Sequence, residues 1–88
     1  MQLKEGFILK EIAGSWVVVP VGDNLVDFQM MMTLNETGAF LWNQLKEGKS
    51  EEELVGALLA EYCVEHETAA ADVKEFLQAL SEKGVLQA

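Results

Sequence analysis

The hydrophobic pattern of the chain changes period once, between Leu34 and Asn35, and this change constrains the fold more than any other feature. Before it, β-branched and aromatic residues fill three short runs separated by turn residues, a pattern typical of β-strands. After it, apolar residues recur at about 3.6-residue spacing, the period of an amphipathic helix. We therefore predict an α+β fold in which a three-stranded antiparallel sheet is followed by three helices.

The turn residues between the apolar runs favour two successive hairpins. The three predicted strands cover residues 7–12, 15–21 and 25–34. Ala13-Gly14 separates the first two strands, and Gly22-Asp23-Asn24 separates the second from the third. Pro20 has no backbone N–H to donate, so we expect it near the end of its strand or on an unpaired side.

Capping residues predict where the helices begin and end. Asn35 is a good N-cap for the first helix, Ser50 and Glu53 form a capping box for the second, and Thr68 is the predicted N-cap of the third. Gly48 and Gly84 are predicted stops. The predicted core consists of Trp42, Leu45, Leu54, Leu58, Val73, Phe76 and Leu80.

Length and charge exclude several classes of protein. With 88 residues, we expect residues 1–88 to form a single domain. The formal net charge of −9 disfavours binding to nucleic acid or to anionic membranes and favours basic or neutral partners. No apolar run reaches the roughly 18–20 residues of a membrane span. The single cysteine permits no intrachain disulfide, which suits the cytoplasm.

The residues that usually carry catalysis are scarce. Cys63 and His66 are the only cysteine and the only histidine, whereas a zinc site normally needs three or four protein ligands. The same scarcity argues against Ser-His-Asp and Cys-His nucleophile systems. We therefore predict no catalytic residue, no metal and no cofactor, and we expect Cys63 to pack under the second helix.

Three consecutive methionines lie near the end of the third predicted strand. Because successive strand residues point to opposite faces, at least one of Met30, Met31 and Met32 must face away from the core. Residues 29–34 also carry no charge or proline to protect an exposed strand edge. Such an edge, lined with soft thioethers, suits the addition of a peptide strand, although Met30 and Met32 could instead fill gaps in the core.

Three segments of the chain carry a recognisable pattern: LNETGAFLW (34–42), EELVGALLAEYCV (52–64) and DVKEFLQALSEKGVL (72–86). Together they resemble the pyrroloquinoline quinone synthesis protein D family (PqqD-like proteins, stand-alone RiPP recognition elements). The resemblance implies a winged helix-turn-helix-like fold without catalysis. It also implies an adaptor that binds the leader of a ribosomally made precursor peptide and presents it to a modifying enzyme, often a radical S-adenosylmethionine enzyme.

The resemblance also implies a binding site. The leader is expected to add as a strand along residues 27–34 and to lie in a groove between this strand and the third helix, Thr68 to Lys83. The sequence leaves open whether the Asp72, Phe76, Ala79, Lys83 side of the helix or its Lys74, Gln78, Ser81 side bounds the groove. The predicted peptide-binding residues are Asp27, Phe28, Gln29, Met30, Met31, Met32, Thr33, Asp72, Val73, Phe76, Ala79 and Lys83.

Two other functions are compatible with a winged helix. DNA binding would need a basic recognition helix, but between Glu67 and Gly84 two lysines face four acidic residues. A purely structural subunit is the second alternative, and the unprotected strand edge argues against it. The same edge leaves the oligomeric state open between a monomer and an edge-paired dimer.

Phe40 stands apart from the helical pattern around it. At 100° per residue it lies with Glu36, Asn43, Gln44 and Glu47 on the polar face of the first helix. It could be exposed, or the segment around Leu3 could cover it. An aromatic side chain ringed by polar groups is also typical of an interface hot spot, which makes Phe40 a candidate docking residue for the modifying enzyme.

Overall fold

The computed structural model describes residues 2–21 and 32–87 of the chain. The described elements are β1 (Gln2–Leu3), β2 (Phe7–Ile12), β3 (Ser15–Pro20), β4 (Met32–Leu34), α1 (Glu36–Leu45), α2 (Glu51–Glu61), α3 (His66–Glu82) and β5 (Leu86–Gln87). The predicted second turn and the greater part of the third predicted strand lie outside the described residues. The predicted order of a three-stranded antiparallel sheet followed by three helices is confirmed.

The main sheet has the strand order β2-β3-β4, and both pairs are antiparallel. Ile12 pairs with Ser15 at the hairpin turn, and Phe7 pairs with Pro20 at the other end. Pro20 is the last residue of β3, the strand end where we expected it. The turn residues Ala13 and Gly14 both have positive φ, 52° and 83°, as a two-residue type I′ turn requires.

One face of this sheet packs on the helices. Val18 is fully buried and pairs with Met32, and Leu34 at the end of β4 is 8% exposed. Thr33, which lies between Met32 and Leu34 in the strand, points to the other face of the sheet and is exposed. Residues 32–34 therefore alternate between the two faces as the sequence predicted.

Two of the three predicted helix caps are present. The Asn35 side chain accepts a hydrogen bond from the Gly38 N–H at 2.7 Å. In the capping box, the Ser50 N–H donates to the Glu53 carboxylate at 3.0 Å, and the Glu53 N–H donates to the Ser50 hydroxyl oxygen at 3.2 Å. The backbone bond from Ser50, followed by the hydroxyl bond, lowers the pKa of Glu53. Because the folded pKa is lowered, this contribution to stability is present above the unfolded pKa and is lost as pH falls through the folded value.

The third predicted cap is wrong, because α3 begins at His66 rather than after Thr68. Glu65 is the N-cap, and its side chain makes no capping hydrogen bond. The first turn closes through the Ala69 N–H and the Glu65 carbonyl at 2.9 Å. Because the helical hydrogen bonds begin at the Glu65 carbonyl, Thr68 lies inside the first turn and its hydroxyl does not cap the helix.

The core lies where the sequence predicted it. All seven predicted core residues are buried, with Trp42, Leu45, Leu54 and Leu58 at 1% exposure or less. Val18, Leu34, Leu41, Ala69, Leu77 and Val85 complete the cluster. Within the described part of the chain, no helix is both long enough and apolar enough to span a membrane.

Two features were not anticipated. β1 and β5 form a second, two-stranded antiparallel sheet that joins the two ends of the described chain, with Leu3 opposite Leu86. Cys63, expected to pack under α2, is exposed. The reason is that α2 ends at Glu61 and Tyr62 is extended (φ −122°, ψ 151°), so Cys63 lies in the connection to α3 and not on the buried stripe of a helix.

We expect Trp42→Ala to lower the free energy of unfolding by about 3–5 kcal/mol, because the mutation removes a fully buried indole from the centre of the core. Such a loss is a large share of the stability of a domain of this size. Trp42→Phe is the matched control: it keeps an aromatic ring and removes an indole N–H that has no acceptor among the described residues. Urea unfolding in which the Ala variant is as stable as the Phe variant would contradict this packing.

Candidate functional site

A surface cavity of about 220 Å³ opens between β4 and α3, with the start of α1 beside it. We call it the strand–helix groove. It is lined by Met32, Thr33, Leu34, Asn35, Thr37, Gly38, Leu41, Asp72, Glu75, Phe76 and Ala79. β4 and α1, which adjoin in sequence, therefore meet the distant α3 at one depression, which is the place where the resemblance implied a site.

Of the two sides of α3 that the sequence left open, one lines the strand–helix groove. Asp72, Phe76 and Ala79 line the groove. The alternative side, with Lys74, Gln78 and Ser81, is exposed and does not line it. Among the predicted residues of β4, Met32 and Thr33 also lie in the groove.

Other predicted site residues lie elsewhere. Val73 is completely buried in the core, because one residue along a helix turns the side chain by about 100° away from Asp72. It is therefore not among the residues that line the groove. Lys83 is exposed at the end of α3, beyond the groove lining. Residues 27–31 lie outside the described part of the chain.

The base of the groove is apolar. Leu41, Leu34 and Phe76 are 1%, 8% and 7% exposed, so they present only a small part of their surface. Met32 and Ala79 are half-buried at its edges. The groove can therefore take an apolar side chain, which would remove further apolar surface from water.

The α3 wall of the groove is acidic. Asp72 is half-buried and Glu75 is exposed, and their spacing of three residues places them side by side on the helix. No lysine or arginine is found among the described residues that line the groove. The wall therefore favours a ligand that carries positive charge beside an apolar group.

Among residues 2–21 and 32–87, no strand pairs with the edge of β4 next to this groove. Among the described residues β4 pairs only with β3, so it is the edge strand of the sheet. Its three residues include no charged side chain and no proline, the usual protection of an exposed edge. The backbone of β4 is thus available for hydrogen bonds from an added strand.

Sequence reasoning missed Asn35, Thr37, Gly38, Leu41 and Glu75 as groove residues. The α1 residues could have been found from their spacing, because Thr37 and Leu41 are four apart on a helix that follows β4 directly. Gly38 allows the close approach of this helix to the strand. A Cβ atom there would lie 3.2 Å from both Leu34 Cβ and the Asn35 side-chain oxygen, tighter than most contacts of that kind.

Phe40 lies in a second, wider cavity of about 630 Å³, which we call the aromatic cleft. Its lining is Glu11, Gly14, Ser15, Trp16, Leu34, Asn35, Glu36, Ala39, Phe40, Asn43 and Tyr62. Phe40 is half-buried rather than isolated on a polar face, because Tyr62 leaves α2 and packs edge-on against it, with 5.6 Å between ring centroids. Leu3 pairs with Leu86 and does not line the cleft.

Two solved structures share this fold. TbiB1 in complex with the TbiA(beta) leader peptide matches with 30% sequence identity and a TM-score of 0.78, over 100% of this chain and 96% of that one. Lasso peptide synthetase B1 complexed with the leader peptide matches with 22% identity and a TM-score of 0.75, over 99% of this chain and 96% of that one. No curated protein is significantly similar to the chain in sequence.

The fold, with its open strand edge beside a helix, places the chain in the class of small α+β proteins represented by these two structures. The model of the coenzyme PQQ synthesis protein D (PqqD) family matches residues 15–86. The chain belongs to the PqqD family, and the resemblance seen in the sequence is confirmed.

We expect Asn35→Ala to lower stability by about 0.5–2 kcal/mol, because the change removes the side-chain cap of α1. Asn35→Asp, which preserves a capping oxygen, is the control and should stay close to the original stability. Urea unfolding measures both. Equal losses in the two variants would show that the cap does not hold this junction.

Proposed function

We propose that this chain is a non-catalytic adaptor that binds the leader of a ribosomally made precursor peptide and presents it to a modifying enzyme. Residues 1–88 act as one recognition unit in this proposal. The observation that carries it is the open edge of β4 beside the strand–helix groove. An extended leader would add to β4 as a further antiparallel or parallel strand and place alternate side chains in the groove.

The chemistry of the groove indicates which leader residues matter. An apolar side chain suits the base formed by Leu34, Leu41 and Phe76, because it covers their remaining exposed surface. A lysine or arginine nearby suits the wall formed by Asp72 and Glu75. We infer that the leader carries a large apolar residue with a basic residue close to it in the extended chain.

The comparison with known structures supports this role. TbiB1, at 30% identity over the whole of this chain, is bound to a leader peptide. The groove of the present chain also includes no histidine, cysteine or serine among its described lining residues, so the proposal assigns it recognition and no bond-making step.

The modifying enzyme in this proposal is a radical S-adenosylmethionine enzyme, the partner implied by the PqqD family. A leader that the adaptor holds as a strand leaves the residues after it free to enter the active site of the enzyme. Binding of the leader therefore delivers the substrate to this enzyme. We expect the adaptor, the precursor peptide and the enzyme to form a complex of three components. A gene for the enzyme and a short gene for the precursor are expected beside the gene for this chain.

We expect Ala79→Arg to weaken leader binding by about tenfold or more, because the longer side chain fills the groove and removes the space for an apolar anchor. Titration of isotope-labelled protein with the leader of the neighbouring precursor gene measures the affinity. The original protein should show shifted amide signals in residues 32–34 and in α3.

Gln78→Arg is the matched control for this substitution. It adds the same charge one residue away, on the exposed side of α3 that does not line the groove. Its leader affinity should stay near the original value. Equal weakening by the two variants, or shifted signals confined to other elements, would place the leader elsewhere.

We expect Asp72→Asn to weaken leader binding by about two- to fivefold at low salt, with a smaller difference at high salt, because one partner of a partly exposed ion pair is lost. Glu67→Gln on the same helix is the control, since Glu67 is exposed and outside the groove. Isothermal titration at two salt concentrations measures both. If the Asp72 variant binds as well as the control variant, the acidic wall takes no part in recognition.

A further inference from the structure

The aromatic cleft brings three aromatic side chains together from three parts of the chain. Trp16 belongs to β3, Phe40 to α1, and Tyr62 follows the last residue of α2. All three are half-buried, so each keeps part of its surface in the cleft. Phe40 and Tyr62 meet at an interplanar angle of 88°, an edge-to-face contact that fixes the two rings relative to each other.

Two carboxylates line the cleft together with these rings, and a third adjoins Tyr62 in the chain. Glu11 at the end of β2 and Glu36 at the start of α1 line the cleft, and Glu61 precedes Tyr62 in the chain. Partial burial, and then the charges of Glu36 and Glu61, raise the pKa of the Tyr62 phenol. The negative charges of Glu36 and Glu61 therefore act on the Tyr62 phenol.

This negative charge is not neutralised locally. Glu11, Glu36 and Glu61 form no salt bridge with any residue in 2–21 or 32–87, and the described lining includes no lysine or arginine. The position of Glu36 at the start of α1 stabilises the helix, because negative charge is favourable near a helix N-terminus. The position of Glu61 does not stabilise its helix, because it is the last residue of α2, where the helix dipole disfavours negative charge.

Aromatic faces ringed by unpaired carboxylates recognise one kind of group. A guanidinium or ammonium group stacks on the rings and pairs with the carboxylates at the same time, and arginine does both through one planar group. The cleft is also wide enough, at about 630 Å³, for a side chain that projects from a folded surface.

We propose that the aromatic cleft docks an arginine or lysine side chain on the surface of the modifying enzyme. The inference rests on the proposed adaptor function. The cleft and the strand–helix groove share Leu34 and Asn35, so they lie on the two sides of the junction between β4 and α1. An enzyme held in the cleft would therefore lie next to a leader held in the groove.

Two capped tripeptides test the recognition chemistry. The probes are acetyl-Gly-Arg-Gly-amide and its neutral isostere, in which citrulline replaces arginine, titrated into isotope-labelled protein. The arginine probe should shift the Trp16 indole signal and the amides around Phe40 and Tyr62 in a saturable way, while the signal of the buried Trp42 indole stays in place. It should bind about three- to tenfold more tightly than the citrulline probe.

Glu61→Gln should weaken binding of the arginine probe by about threefold. Glu82→Gln is the matched control, because Glu82 is likewise the exposed last residue of a helix, α3, but it neither adjoins Tyr62 nor contributes to the charge that acts on this ring. Both changes relieve the same unfavourable charge at a helix end, so they have similar effects on stability and only the first affects the probe.

The outcomes separate this inference from the proposed function. Equal shifts by both probes, no saturable shift at the cleft, or shifts confined to the residues around Asp72 and Ala79 would overturn the cleft as a cation site. The Ala79→Arg variant, whose groove is filled, should still bind the arginine probe at the original affinity. Failure of leader binding with an intact response at the cleft would count against the adaptor function alone.

The identity of the occupant is tested with the modifying enzyme from the neighbouring gene. Glu61→Gln should weaken its association with the adaptor by about threefold and leave leader affinity unchanged, and Glu82→Gln should change neither. If the arginine probe depends on Glu61 and the enzyme does not, the enzyme is not what occupies the cleft, and the proposal is wrong in that respect.

Discussion

The hydrogen bond from the Gly38 N–H to the Asn35 side chain fixes the junction between β4 and α1, and both surface cavities depend on this junction. At this junction the chain passes from a strand to a helix within one residue, Asn35. Leu34, the residue before Asn35, is buried in the core. The missing side chain at Gly38 lets α1 start close to β4. Because both cavities include Leu34 and Asn35, a shift at this junction would change the width of both.

The two cavities use different parts of the fold for different kinds of contact. The strand–helix groove offers an unpaired backbone edge with an apolar base, which suits an extended chain. The aromatic cleft offers rings and carboxylates, which suit a single projecting side chain. Both are acidic, in a chain of net charge −9, so long-range attraction favours basic partners at either one and weakens as salt increases.

The sequence was sufficient for the features that depend on local rules. The change of period at Leu34, the Asn35 cap, the Ser50–Glu53 capping box and the buried helix stripes follow from neighbouring residues alone, and the structure confirms them. The start of α3 was misplaced because its first helical hydrogen bond is accepted by the Glu65 carbonyl, so the helix begins without the side-chain cap that Thr68 would have supplied.

The features that the sequence did not reveal depend on contacts between distant segments. β1 and β5 are two residues each, too short to produce a pattern, and they form only because the chain ends meet. Tyr62 approaches Phe40 only because α2 ends where it does, which a helical wheel of α1 alone cannot show. The sequence also could not separate neighbouring residues of α3, because only the packing of this helix shows that Asp72 lines the groove and that Val73 does not.

The pairing of β1 with β5 bears on how the chain tolerates being cut or joined. Gln2 and Gln87 are direct partners, so the two ends of the described chain are only one strand spacing apart, roughly 5 Å. A short linker could close them into a ring, and new ends could be opened in the exposed turn at Gly48. Such a circular permutant would change the order in which segments are connected while leaving the β4–α1 junction covalently intact. The same closeness means that the unit could be inserted into a loop of another protein with little separation of the flanking residues, which suits an architecture in which recognition and modification are carried by one polypeptide.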